Sequence, residues 1–181
     1  GVQTCALPIK HGFFRNIPTS YDMEWSVDGK LEKKSYYFPV SEVTCNRTCS
    51  LEGNADAVVV KLGDPDKTVY GEQKYEISYH VKTKDLDLSN HAQALYWNLA
   101  SGFDTQIRHL SYDIKMPKAF DENAVFTYSG AFGETTTNLT HEVDQLHIKG
   151  ETGRLLLSNE SATIKVNLPN GYFIYPKPKD Y

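Results

Sequence analysis

Cys45 and Cys49, separated by Asn-Arg-Thr, are the residues of this 181-residue sequence whose type and spacing most directly indicate chemistry. In an exported protein such a pair is expected to oxidise and close a small loop, with a modest gain because a short loop saves little chain entropy. Free thiols are the second alternative, and a redox or metal role is the third. The spacing is one residue longer than Cys-x-x-Cys, and no second ligand pair exists for tetrahedral zinc. A disulfide is therefore the leading prediction.

The six histidines form no recognisable metal-binding or catalytic motif. No two of them stand as His-x-His or His-x-x-x-His, and single histidines on strands are more often surface or core residues than ligands. Paired carboxylates such as Asp85 and Asp87 lie in turn sequences, where Asp stabilises the loop backbone. The sequence also has no Gly-x-Ser-x-Gly elbow and no phosphate-binding glycine loop. We therefore predict no catalytic residue, no metal ligand and no cofactor.

Aromatic residues indicate one alternative function, because sugar rings stack on Trp and Tyr side chains. Trp25 and Tyr96 are the candidate binding aromatics. Strand alternation places Tyr96 and Trp97 on opposite faces, so that one belongs to the core and the other points outward. We expect Trp97 to be the core residue, with its indole N–H bonded to a nearby group.

The elements that position these residues are predicted to be strands. Apolar and polar residues alternate most clearly over 75–81, 110–116 and 164–168, and the last two segments end at Pro117 and Pro169. Clusters of Gly, Asp, Asn and Pro separate the strand candidates at fairly regular intervals, and no window holds a sustained 3.6-residue apolar period. The pattern predicts an all-β fold, an antiparallel β-sandwich of about eight strands with little helix.

Composition excludes several classes of protein. Hydrophobic residues make up 40% and charged residues 23%, which is typical of a folded globular chain and too apolar for disorder. The net charge of −4 gives no attraction to nucleic-acid phosphates, so no nucleic-acid partner is expected. No apolar run approaches the roughly 20 residues that a membrane-spanning helix needs.

The sequence divides into three parts. Residues 1–9 resemble the translation of a common short-read sequencing adapter, so we treat them as an artefact; a true N-terminal strand that happens to match is the alternative. Residues 10–173 are predicted to form the β-sandwich domain. Residues 174–181, which contain Pro176 and Pro178, predict an extended linker towards a membrane segment outside this sequence.

A family resemblance begins at residues 11–18, His-Gly-Phe-Phe-Arg-Asn-Ile-Pro. This segment resembles the His-Gly-aromatic-x-Arg-Asp-Ile-Pro segment of the predicted bacterial membrane proteins called domain-of-unknown-function family 2207. Further matches follow in order to about residue 173, including the strand at 75–79 and the Tyr-Trp-Asn segment at 96–98. The signature positions in this sequence are His11, Gly12, Arg15, Ile17, Pro18, Gly63, Gly71, Tyr96, Trp97, Asn98, Pro117 and Pro169.

The resemblance implies a signal sequence, a β-rich domain outside the membrane and transmembrane helices further on. The parent protein would then be membrane-anchored, with residues 10–173 on the extracytoplasmic face and an unknown protein or cell-envelope component as partner. The family's activity is unknown, so no catalytic residue and no cofactor carry over. Asn16 stands where the family has Asp, which puts in doubt any role that needs a carboxylate there.

The signature residues are interpreted as structural. Gly12 permits a tight turn before two aromatic residues, and Ile17 with Pro18 anchors and ends the segment. Arg15 is a candidate for a guanidinium fork that ties a loop to carboxylates or carbonyls.

Three functions remain open from the sequence. The first is a non-enzymatic extracytoplasmic interaction or sensory domain, and the second is a glycan- or cell-wall-binding β-sandwich module. The third is a hydrolase with an unrecognised site. Glycan binding that is lost on changing Trp25 or Tyr96 would favour the second, and a pocket with convergent His and carboxylates would favour the third.

Overall fold

The computed structural model describes residues 2–5, 13–64, 66–70, 73–82, 93–101, 103–131, 134 and 137–174. These residues form fourteen β-strands and one short 3-10 helix, η1 (Glu122–Ala124), and the strands assemble into several small antiparallel sheets. The prediction of an all-β fold with little helix is therefore confirmed. The strands are β1 (Val2–Cys5), β2 (Phe13–Pro18), β3 (Ser20–Val27), β4 (Lys30–Tyr37), β5 (Val40–Cys45), β6 (Cys49–Gly53), β7 (Ala57–Leu62), β8 (Gln73–Val81), β9 (Gln93–Ala100), β10 (Ser111–Lys115), β11 (Val125–Gly130), β12 (Glu142–Asp144), β13 (His147–Glu151) and β14 (Ser161–Leu168).

The predicted number of about eight strands was too low. The strands missed are those without a clean apolar alternation, such as β4, which is exposed from Lys30 to Ser35, and the three-residue β12. Such strands are held by turn geometry and by pairing to a neighbour, and neither leaves a period-2 apolar pattern in the sequence.

Two small sheets, ordered β2-β7-β6 and β1-β8-β5, share the first core. Ile17 and Val60 from the first sheet are fully buried and pack in one cluster with Tyr75 and Ile77 from β8. The exposed Ser78 and His80 alternate with these buried residues, so the predicted strand at 75–81 is confirmed. Hydrophobic burial between the two sheets is what holds this half of the molecule together.

A second pair of sheets, ordered β11-β14-β9 and β10-β13-β12, shares another core. Ile164 and Val166 of β14 are fully buried and pack with Ile148 of β13 and Val125 of β11. The predicted alternation at 164–168 thus lies on a central strand, and the one at 110–116 supplies β10. Apolar cores enclosed between small facing sheets are the layered packing on which sandwiches depend.

The strands β3 and β4 form a two-stranded sheet of their own, which we call the arm (residues 20–37). Its turn is Asp28-Gly29, and both residues have positive φ, 49° and 76°, as a type I′ hairpin turn requires. The base of the arm is anchored by the buried Tyr36 and by Phe38, which follows β4. Beyond this base the described side chains of β4 are exposed.

The strand β1 pairs with β8 through residues 2–5. Because ladder hydrogen bonds join backbone groups of any sequence, this pairing has no bearing on the origin of residues 1–9. In the part of the chain that the structure describes, no helix has the length and apolar character to cross a membrane.

Candidate functional site

Arg15 is a buried cation on β2 whose side chain reaches β9. Along β2, Phe14 and Asn16 are exposed while Arg15 and Ile17 are buried, so strand alternation turns the guanidinium inward; Arg15 keeps only 5% of its surface exposed. Arginine rarely occupies such a position unless hydrogen bonds or ion pairs compensate the lost hydration.

The guanidinium reaches the edge of another sheet. Nη2 of Arg15 donates to the backbone carbonyl oxygens of Asn98 at 3.2 Å and of Leu99 at 3.3 Å. The β9–β14 register shifts at this point, since Asn98 pairs with Thr163 and Ala100 pairs with Ala162, leaving Leu99 as the extra residue. A bulge of this kind redirects the local backbone, and both carbonyls meet the same nitrogen. Arg15 therefore ties β2 to β9, with carbonyls rather than carboxylates as partners.

Aromatic rings surround this contact. Tyr21 at the base of the arm meets Tyr96 edge-on at 5.6 Å between ring centroids and lies 6.5 Å from Trp97. The Trp97 ring in turn lies 6.2 Å from that of Tyr79 on β8. We call the following residues the Arg15 cluster: Arg15, Tyr21, Tyr79, Tyr96, Trp97 and Asn98.

The electrostatics of the cluster follow from burial. Desolvation lowers the pKa of Arg15, while the nearby Tyr79, which also hydrogen-bonds to the Arg15 side chain, and Tyr21 raise it in part. Desolvation likewise raises the pKa of Tyr21 well above its ordinary range, and it raises the pKa of Tyr96 with help from Tyr128. Tyr21 and Tyr96 are therefore neutral hydroxyl groups at physiological pH, and the guanidinium is the positive charge beside them.

Three buried polar atoms in this cluster lack a hydrogen-bond partner among the described residues. They are Nη1 of Arg15, Oη of Tyr21 and Oδ1 of Asn98. The Asn98 amide nitrogen is bonded, donating to Thr163 Oγ1 over a long 3.4 Å. A buried polar group left unpaired costs about 1–3 kcal/mol, so three in one place make this cluster the candidate functional site of the described residues.

The two residues of the Tyr96-Trp97 pair are both half-buried. Trp97 packs against the first and the second core, so it joins the two halves of the molecule as well as lining the cluster. Tyr96 is covered by Tyr21. Trp25 lies on β3 opposite Glu32, with its side chain outside the described part of the structure.

The remaining signature residues are spread over the fold. Ile17 is in the first core, Pro18 ends β2, and Gly63 follows β7 with a φ of 105° that favours glycine. Pro117 and Pro169 are exposed, and both follow the end of a strand. His11, Gly12 and Gly71 lie outside the described residues.

Cys45 and Cys49 are joined by a disulfide bond with a Cα–Cα separation of 6.3 Å. Cys45 ends β5 and Cys49 begins β6, so the bond links edge strands of two different sheets. The loop between them is bonded to β8: the Asn46 side chain donates to the Lys74 carbonyl at 3.1 Å and accepts from the Glu76 amide at 2.9 Å. This corner is therefore fixed by one covalent bond and several hydrogen bonds.

Histidines and carboxylates meet only in pairs on the described surface. His147 contacts Asp113 at 2.6 Å across β13 and β10, and His109 lies 3.3 Å from Glu151. Among the residues with described positions, no three His, Cys, Asp or Glu side chains come together as a metal ion would require. The arrangement of the Arg15 cluster offers hydrogen bonding and charge, which are means of binding.

Tyr21 and Tyr79 are members of the cluster that sequence analysis did not single out. Tyr79 shares a strand face with Tyr75 and Ile77, so its inward position was predictable. An inward tyrosine needs a partner for its hydroxyl, and Arg15 was the buried cation available. Tyr21 gave no such signal, because its place depends on how the arm meets β9.

These features define an all-β domain in which small facing sheets are fastened by a buried arginine and by a disulfide corner. The chain belongs to the family described as Predicted membrane protein (DUF2207) N-terminal domain, whose model matches residues 8–155. The matched range contains the whole Arg15 cluster and the disulfide, and it confirms the resemblance seen in the sequence. No curated protein and no solved structure matches the chain.

Proposed function

We propose that this chain is a non-enzymatic, extracytoplasmic interaction or sensory domain of a membrane-anchored bacterial protein. Membership of a predicted membrane protein family supports the membrane anchorage of the parent. The observation that carries the interaction role is the arm, a hairpin that pairs with no other described strand.

The arm has a charged face and an exposed leucine near its turn. On one face, Lys33 lies 3.7 Å from Asp22 and 3.5 Å from Glu24, which gives a polar surface. The strand β3 carries Trp25, which pairs with Glu32 of β4. Near the turn, Leu31 keeps 72% of its surface exposed. Leu31 lies on the same face of β4 as Lys33, so it is an apolar residue on a charged face that a docked partner could cover.

The edges of the arm add a second means of binding. An isolated two-stranded sheet is only marginally stable in water, and its unpaired edges can accept a strand from another chain. A partner protein that adds a strand there would gain backbone hydrogen bonds and could cover Leu31. The arm therefore supports docking of a protein or cell-envelope partner.

The disulfide supports the extracytoplasmic side. Such bonds form and persist in oxidising compartments and are rare in the cytosol. The Cys45–Cys49 bond closes a four-residue separation at a sheet corner. A structural bond at such a corner is expected of an exported domain.

Thiol labelling of intact cells tests the cellular side. Lys30 at the arm turn is exposed, so Lys30→Cys in the full-length parent protein should react with a membrane-impermeant maleimide without permeabilisation. Ile148→Cys, at a fully buried position, is the matched control and should stay unlabelled. Labelling of Lys30→Cys that appears only after permeabilisation would place the domain in the cytoplasm and reject the proposal.

Site-specific photocrosslinking tests the docking role. A photoreactive amino acid in place of Leu31 should give a discrete adduct on intact cells, because this position is exposed on the arm. Leu157, which is 50% exposed but lies outside the arm, is the control position. Equal adducts at both positions, or none at Leu31, would contradict an arm-directed partner.

A glycan- or cell-wall-binding module is the second candidate, and the place of Trp25 on the arm favours it. The purified domain would then bind isolated wall polymer, and Trp25→Ala would abolish that binding while Phe126→Ala, at a partly exposed aromatic on β11, would not. Unchanged binding by Trp25→Ala would reject this candidate.

A further inference from the structure

The Arg15 cluster carries a buried charge that the described protein groups do not neutralise. The groups that act electrostatically on Arg15 are the hydroxyl of Tyr79, which also hydrogen-bonds to the Arg15 side chain, and the hydroxyl of Tyr21; neither is a carboxylate. A guanidinium stays protonated even when buried, because its intrinsic pKa is so high. Carbonyl oxygens occupy Nη2, whereas Nη1 has no partner in the described structure.

The unpartnered atoms are chemically suited to one kind of ligand. Nη1 of Arg15 and the Tyr21 hydroxyl are both hydrogen-bond donors, and Tyr21 lies close enough to Arg15 for the guanidinium to affect its ionisation. The Tyr21 oxygen also lies near the Asn98 backbone N–H, which it can accept from, but its own O–H has no acceptor among the described residues. A ligand that accepts from both donors and carries a negative charge would satisfy them and neutralise Arg15. Water would satisfy the donors but leave the charge uncompensated.

Asn98 is compatible with the same ligand. Its amide contacts the Thr163 hydroxyl, which can either donate or accept, so the amide can be turned by half a rotation without losing that bond. In the turned orientation the amide nitrogen faces the cluster in place of Oδ1. The site then offers three donors from three strands.

We propose that the Arg15 cluster binds a small monovalent anion, of the size of acetate or chloride, through Arg15 Nη1, the Tyr21 hydroxyl and the Asn98 amide. These residues belong to β2, β3 and β9, so the bound anion would fasten the base of the arm to the body of the domain. This inference goes beyond the docking role and stands or falls separately from it.

Thermal unfolding of the 181-residue chain tests the site with acetate as probe and chloride as a second probe. Ionic strength is held constant with a bulky sulfonate salt, whose anion is too large for a buried site. Because a ligand that binds only the folded state raises stability with its concentration, the Tm should rise by several degrees as either probe reaches saturation. A Tm that is the same in acetate, chloride and sulfonate would overturn the proposal.

Tyr21→Phe separates binding in the cluster from general salt effects. The variant loses only the hydroxyl, whose O–H has no acceptor among the described residues, so its Tm in sulfonate should stay close to that of the wild type. The rise in Tm that acetate causes in this variant should be absent or less than half of the rise in the wild type. Tyr37→Phe, at an exposed tyrosine outside the cluster, is the matched control and should keep the full rise in Tm. If acetate raises the Tm of Tyr21→Phe as much as that of the wild type, the proposed site is wrong. The crosslinking result at Leu31 does not bear on this test.

Discussion

At the scale of single residues, the fold depends on a few positions where backbone and side chain have no room to adjust. Gly150 on β13 is the clearest: a Cβ there would lie 1.9 Å from the Thr140 carbonyl oxygen and 2.6 Å from the Tyr112 hydroxyl. The Tyr112 hydroxyl itself donates to that same carbonyl at 2.7 Å. A glycine is required here because of close approach and not because of an unusual backbone angle.

Gly150→Ala should therefore destabilise the domain by about 2 kcal/mol or more, because backbone has to move to relieve the overlap. Gly53→Ala on β6 is the matched control, since its nearest atom is the Ala57 carbonyl oxygen at 4.0 Å. That control should be neutral or slightly stabilising, since alanine loses less chain entropy on folding. Urea unfolding of both variants makes the comparison, and equal stabilities would contradict the packing described around Gly150.

Tyr112 also gives a pH prediction. Burial raises its pKa to about 12 in the folded chain, above the ordinary value near 10 for an unfolded tyrosine. The raised pKa means that the stability contributed by the neutral hydroxyl is present below pH 10 and is lost as pH rises towards 12. Urea unfolding at pH 8 and at pH 11 should show that Tyr112→Phe loses less unfolding free energy between the two pH values than the wild type does. Tyr37→Phe, at an exposed tyrosine, should lose as much unfolding free energy as the wild type over the same pH range. If all three proteins lose the same amount, Tyr112 is not the group responsible.

At the scale of elements, the sequence predicts strands with one buried face and misses those without. The strands at 75–81 and 164–168 were predictable because hydrophobic residues alternate on them, and they proved central to their sheets. The arm was missed even though Asp28-Gly29 is a strong hairpin signal, because its polar strand β4 has no alternation of its own. The residue type predicted that the Arg15 guanidinium would bond to carbonyls or carboxylates of another segment. The sequence did not predict which carbonyl accepts, because that carbonyl lies 83 positions along the chain.

The disulfide corner is an element whose contribution can be measured directly. Closing so short a loop should stabilise the domain by about 2 kcal/mol on the chain-entropy model. The Cys45→Ser/Cys49→Ser double variant should lose that amount, and a reductant should lower the stability of the wild type but not of the variant. Denaturant unfolding with and without reductant makes the measurement. A variant as stable as the oxidised wild type would show that the Asn46 hydrogen bonds alone hold the corner.

At the scale of the whole molecule, two cores have to behave as one domain. The first lies between the β2-β7-β6 and β1-β8-β5 sheets, and the second between the β11-β14-β9 and β10-β13-β12 sheets. Arg15 links them by hydrogen bonds to β9, Trp97 links them by packing against both, and Ala100 of β9 is buried in the first core. The signature residues Arg15, Trp97 and Asn98 thus lie at the junction of the two halves. Residues that lie far apart in the sequence therefore act together to join the two halves.

Removing the Trp97 ring should weaken this junction more than it weakens either core. We expect the wild type to unfold in one transition, with the far-ultraviolet and near-ultraviolet signals coincident. Trp97→Ala should lose about 3 kcal/mol, in the range for a large aromatic side chain, and its two signals should separate as the halves unfold at different denaturant concentrations. Phe126→Ala, which removes a partly exposed aromatic on β11, should keep a single transition. Coincident signals in Trp97→Ala would mean that the other contacts across the junction, the Arg15 hydrogen bonds and the packing of Ala100 in the first core, still couple the halves. Arg15→Met in the Trp97→Ala background should then separate the signals, because it removes the side-chain hydrogen bonds from β2 to β9.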